Sequence, residues 1–173
     1  MGQNNLKTLQ IYSVTDMSTK DHSSLQESNI ANYLGWQVVS GSGSRLCRPG
    51  DIISDEWLGE CKTHITKDNK LVFLMNVWDK IREEAVSQYK CPALFVDDGS
   101  KQIDKTWVMF STNINPFMTF VCNMIDQKIG ASLRFDHWSM ICNCTNVLGI
   151  QFNCNKNICV TTLPKFKQLL EEY

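Results

Sequence analysis

Apolar residues recur along this chain with two periods, and the switches between them divide it into elements. Ile30, Ala31 and Leu34 fall at helical spacing and Gly35 follows them, so a helix is predicted from Leu25 to about Gly35. Ser24-Leu25-Gln26-Glu27 has the form of an S-x-x-E capping box at its start. Glu27, Ala31 and Leu34 are spaced i, i+4, i+7, which puts Glu27 along the buried side. Trp36 to Val39 reads as a short strand, and GSGSRLCRPG, ending at Gly50, as a loop of turn-forming residues. Asp51-Ile52-Ile53 begins the next strand, Ser54-Asp55-Glu56 is a turn, and Trp57 to Ile65 is the partner strand. So short a connection makes the pair antiparallel.

Further along, Lys67 to Lys70 is a charged turn. Val77, Ile81 and Ala85, spaced by four, mark a helix over Val77–Tyr89. Pro92 precedes a strand of buried type, Ala93–Val96, and Trp107–Phe110 is another. Asn115-Pro116 opens a predicted helix carrying Phe117, Phe120, Val121, Met124 and Ile125. Strands follow at Leu133–Cys144, Leu148–Phe152 and Ile158–Thr162, and Leu163-Pro164 starts a last helix through Tyr173. Residues up to about Asp21 are polar around one apolar patch, Leu9–Val14, and read as an arm or a short element. The expected class is α/β, in one domain spanning residues 1–173, with no repeat, low-complexity segment or inter-domain linker.

Composition narrows this modestly. With 173 residues, 43% hydrophobic and 20% charged, the chain suits an ordinary soluble domain with a proper core. No apolar run is long enough to span a membrane, and MGQNNLKTLQIYS lacks the layout of a signal peptide. The Met-Gly start is not followed by Ser or Thr at position six, which discounts myristoylation. A cytoplasmic location is expected, the host cytoplasm if the chain is phage-encoded. Without a secretory signal, the eight cysteines are expected as thiols. Cys142, Cys144, Cys154 and Cys159 could supply four ligands to a Zn²⁺ ion, with His137 as a substitute for one. A C-x-C pair within a strand chelates poorly, however, so buried thiols are expected and structural zinc is not.

The candidate chemistry lies between Gly41 and His64. Side chains alternate along a strand, so Glu60 and Lys62 share a face with Leu58 while Cys61 points to the other. Asp51 on the neighbouring strand brings a second carboxylate. Two carboxylates and an amine at one spot are what a metal-dependent phosphodiesterase needs: the acids hold Mg²⁺ and the ammonium orients water near the scissile phosphate.

Gly50-Asp51, with Pro49 one residue early, followed by Glu60-Cys61-Lys62, resembles the PD-(D/E)xK nuclease superfamily. LQESNIANYLGWQVVSGSGS, from Leu25 to Ser44, looks like the first helix and Ser/Gly loop of the archaeal-type Holliday-junction resolvases and their phage relatives. The resemblance runs from about Leu25 to Val96. It implies a restriction-endonuclease-like αβββαβ core with a mixed central sheet, over about 22–110, to which the strands and helix read above over about 111–173 are an extension. It further implies Glu27, Asp51, Glu60 and the main-chain carbonyl of Cys61 as metal ligands, and a contribution from a loop serine, Ser42 or Ser44. Mg²⁺ is the implied cofactor, with Mn²⁺ as a substitute. The implied activity is hydrolysis of DNA, four-way junctions or other branched forms above all, by a C₂ homodimer that cuts two strands symmetrically. Leu9–Val14 and Phe117–Ile125 are candidate interface material.

Each residue also has a plainer explanation. Glu27 completes the capping box, and a carboxylate reaching back to the cap is not available to a metal. Ser42 and Ser44 could be linker residues. Arg45 and Arg48 could grip phosphates as forked donors, and the resemblance implies Lys80, on the helix after Glu60-Cys61-Lys62, as a further DNA contact; with Lys67, Lys70 and Arg82 all three could instead belong to an ordinary solvated surface. His64 could touch DNA or move a proton, although the chemistry does not require it. A net charge of −1 counts mildly against phosphate binding. The alternatives are a restriction, repair or nicking nuclease, a non-catalytic DNA- or protein-binding module on the same fold, and a zinc-stabilised interaction protein.

Overall fold

The computed structural model describes residues 19–40, 48–63, 71–111, 122–126, 132–135, 147–151 and 157–172. The order is α1 (Thr19–Leu34), β1 (Gln37–Val38), β2 (Ile52–Ile53), β3 (Trp57–Thr63), β4 (Leu71–Leu74), α2 (Met75–Ser87) and β5 (Cys91–Asp97). A 3₁₀ turn (Ile103–Lys105), β6 (Thr106–Ser111), β7 (Cys122–Asp126), β8 (Ser132–Phe135), β9 (Val147–Gln151), β10 (Asn157–Thr162) and α3 (Leu163–Glu172) complete it. Eight strands form one sheet in the order β1-β2-β3-β5-β6-β10-β9-β7, and β4 pairs separately with β8. Within the large sheet β3–β5 and β7–β9 are parallel and the other pairs antiparallel, so the chain is α/β with a mixed sheet. The parallel pair β3–β5 needs a crossover, which α2 supplies.

Strand alternation divides the core in two. Leu58, Leu94, Val96, Trp107, Met109, Ile158 and Val160 face α2, where Trp78, Ile81 and Ala85 cover them. Trp57, Cys61, Ala93, Phe95, Val108, Phe110 and Cys159 face the other way, under Ile30 and Ala31 of α1 and Leu163, Phe166 and Leu169 of α3. Residues 157–172 are therefore part of this core: β10 lies between β6 and β9, and Phe166 packs edge-on against Trp57 with ring centroids 5.2 Å apart.

Three expectations change. Helix α1 starts at Thr19, so Ser24 lies inside it and is no N-cap. The Glu27 carboxylate instead accepts from Ser23 Oγ, 2.9 Å away, one turn back. The helix expected after Pro116 does not extend to its last members, because Met124 and Ile125 belong to β7, which pairs with β9. Its residues Phe117, Phe120 and Val121 lie outside the described residues, as do the Leu9–Val14 patch and the Lys67–Lys70 turn. Strand β4 is an addition: Leu71–Leu74 pairs with Ser132–Phe135 just before α2.

Candidate metal and phosphate site

Gly50 fixes where Asp51 starts. Its φ is +74°, and a Cβ there would lie 2.8 Å from Leu58 Cδ1 and 3.1 Å from Gly59 O, so both conformation and close approach require glycine. The chain then enters the sheet. Asp51 N donates to Gly59 O (2.8 Å), and Asp51 O accepts from Val39 N (2.8 Å). The Asp51 carboxylate turns onto β3, where Oδ2 accepts from Cys61 N at 2.9 Å.

Burial pushes the Asp51 carboxyl up to about 6, and the negative charges of Glu60 and Glu27 add to this. The Cys61 N–H and the Lys62 ammonium pull the other way without overcoming it. Glu60 is only 6% exposed although it is an acid on a strand, and Lys62 Nζ lies 2.6 Å from Glu60 Oε1. Burial alone would lower the Lys62 ammonium, but the hydrogen bond and charge of Glu60, with Asp51 beyond it, hold it above the ordinary lysine value. The Cys61 thiol points to the opposite face, where burial pushes it well above the ordinary range.

The Cys61 main chain points into the site. Trp57 O and Gly59 O both accept from the β2 side, from Ser54 N and Asp51 N, whereas Glu56 O accepts from Cys91 N on the β5 side. Odd-numbered residues of β3 thus direct both backbone groups toward β2, as parity along a strand requires. Cys61 N follows the rule, so its carbonyl faces the same side, past the last β2–β3 ladder pair, Ile52–Gly59.

The structure thus brings Asp51, Glu60, Lys62 and the Cys61 main chain together, and Glu27, half-buried on α1, acts on Asp51 through its charge. Among the described residues no three His, Cys, Asp or Glu side chains stand at metal-holding spacing. Glu60 is engaged by Lys62 and Glu27 by Ser23. The donors nonetheless suit a hard divalent cation in kind, being carboxylate oxygens and a carbonyl, and burial and the neighbouring acids make the Asp51 carboxylate costly to ionise without one. Arg48 is exposed at the loop end. Lys80 is exposed on α2, 3.6 Å from Glu84 of the same helix, and nothing in the structure brings it to the Asp51–Glu60 site. Ser42, Ser44, Arg45, His64, His137, Cys142, Cys144 and Cys154 lie outside the described residues, and Cys159 is wholly buried in the core.

Gln26 is the residue the sequence reading missed. It is 2% exposed, donates from Nε2 to Lys62 O (3.1 Å) and accepts at Oε1 from Thr63 Oγ1 (3.3 Å). The available signal was its i, i+4 spacing with Ile30, which places a polar side chain on the apolar face. No family model, curated protein or solved structure matches the chain.

Proposed function

We propose that this protein is a metal-dependent endodeoxyribonuclease of the PD-(D/E)xK type, with branched DNA, four-way junctions in particular, as its substrate. One observation carries the proposal: a half-buried Asp51, its carboxyl raised by burial and by neighbouring acids, stands with Glu60 and Lys62 at the open end of the β2–β3 pair. A structural salt bridge needs no second carboxylate, and an acid with an elevated pKa in such a cluster is a recurrent mark of a functional site.

Asp51, Glu60 and the Cys61 carbonyl, with Glu27 alongside, would hold Mg²⁺. The ion would place positive charge on the scissile phosphate and make bound water more acidic. With the ion bound, Glu60 would serve it in place of Lys62, and the Lys62 ammonium would orient the attacking water and donate to a non-bridging phosphate oxygen. Its exposure of 46% leaves the ammonium accessible to DNA. The order α1, β1, β2, β3, α2, β5 supports the family reading, with β4 as an insertion. The preference for junctions and the C₂ homodimer rest on the likeness of residues 25–44 to resolvases.

A second reading has an observation in its favour. The closed Glu60–Lys62 pair, with no group of three metal-spaced side chains among the described residues, also suits a module that binds DNA or protein without cutting. Incubating a labelled four-way junction, linear duplex and single strand with Mg²⁺ or Mn²⁺ separates these. The proposal expects paired symmetric cuts in the junction, lost in Glu60→Ala. Equal cutting of linear duplex would keep the nuclease and remove the junction preference, and no cutting of any substrate would leave the binding module.

A further inference from the structure

On the α1 side of the sheet, opposite the Lys62 side chain, three polar residues join the helix to the ends of the two parallel strands. Gln26 is buried, and both bonds of its amide go to the end of β3: Nε2 to Lys62 O and Oε1 to the Thr63 hydroxyl. Thr63 stands opposite Asp97 at the end of β5. Asp97 is 1% exposed, and its Oδ1 accepts from Gly99 N at 3.0 Å. Its Oδ2 is buried without a hydrogen-bond partner. A buried polar group without a partner is costly.

We infer that Gln26, with Thr63 and Asp97 behind it, is a positioning residue that fixes the main chain of Lys62 and so aims its ammonium at the reacting phosphate. Lys62 and Thr63 point to opposite faces, so the strand end is gripped from the α1 side while the lysine works on the other. Nothing else described ties the Lys62 carbonyl to a helix, and α1 is the element that also carries Glu27. Movement of α1 against β3 therefore displaces Lys62 and Glu27 together. This role rests on the endonuclease reading above.

The test uses the full-length chain carrying Gln26→Met, Gln26→Glu, Thr63→Val or Thr63→Ser. Glutamate keeps the acceptor for Thr63 but loses the donor to Lys62 O; serine keeps the hydroxyl. The expected result is about tenfold slower single-turnover cleavage in Gln26→Met, Gln26→Glu and Thr63→Val, with DNA affinity unchanged and Thr63→Ser near wild type. Without metal or DNA, amide exchange at Cys61–Thr63 should rise about tenfold in the same three variants and stay put along α2. Thr63 is exposed, so Thr63→Val folds even if Gln26→Met does not. Wild-type cleavage and exchange in Thr63→Val and Gln26→Glu overturn the inference, as does a loss of rate that tracks a loss of DNA affinity. A wild-type chain that cuts nothing overturns the endonuclease reading instead, and the exchange readout then decides the clamp alone.

Discussion

The two faces of β3 have been built to opposite rules. On the α1–α3 side, Trp57 and Cys61 join Phe95, Phe110 and Phe166 in a closed aromatic cluster, with Trp36 at 5.8 Å from Phe95. On the α2 side, the row that begins with fully buried Leu58 continues into Glu60 and Lys62, where apolar residues would pack better. On the neighbouring strands Leu94 and Val96, paired with Glu60 and Lys62, and Met109 and Trp107 beyond them keep that face apolar. Burying a carboxylate is unfavourable unless it is paired and hydrogen-bonded. The difference therefore teaches that both faces turn polar toward this end of β3, through Gln26 and Asp97 on the α1 side, but that only the α2 side places an acid and an amine there, as the proposed cation site would require.

The largest expected effect tests the packed face. Phe166→Ala should destabilise the protein by about 3–5 kcal/mol, read as a lower urea midpoint with an unchanged slope, because Phe166 is wholly buried among four aromatic rings. Gly59→Ala should cost about 3 kcal/mol in the same measurement, since its Cβ would come within 2.7 Å of both Ile52 Cγ1 and Phe95 Cε2.

The polar face should respond with the opposite sign. The Asp51 carboxyl rises from 3.8 to about 6 on folding. The folded state holds the proton more tightly, so this group's contribution is complete below about pH 4 and is lost as pH rises to about 6. Asp51→Asn removes that loss and should stabilise the protein at pH 7 by on the order of 2 kcal/mol, while abolishing cleavage. A flat stability profile between pH 4 and 6 in the wild type would contradict it. The smallest effect belongs to the hairpin. Lys90 Nζ donates to Ser54 O (2.7 Å) and Asp55 O (2.6 Å), so Lys90→Met should cost about 1 kcal/mol by the same denaturation.

Much of this division could be read from the sequence, because alternation is local. Glu60 and Lys62 fall on the Leu58 face and Cys61 on the other, as predicted. The β2–β3 hairpin, α2, β5, β6, β10 and α3 lie where their periodicity put them, within a few residues. What failed depended on distant partners. Met124 and Ile125 fit a helical spacing with Phe117 and Phe120, but pairing with β9 overrides local preference. Leu71–Leu74 is too short and uniform to carry a period, and only its pairing with β8 makes it a strand. The six residues from Thr19 to Ser24 are all polar or charged, so the true start of α1 left no hydrophobic mark and the capping box was misplaced. At the site, the residue types were legible and their engagement was not. Neither the Glu60–Lys62 contact nor the reach of Gln26 across to Lys62 is a matter of spacing along the chain.

The most direct test of the α2 face as a cation site is calorimetric titration of Mn²⁺ into the DNA-free protein at pH 7, for wild type and Asp51→Asn. The account predicts saturable binding by the wild type that weakens as pH falls through about 6, where Asp51 takes up its proton, and no binding by Asp51→Asn. Equal heats from both proteins, or none from either, would contradict it.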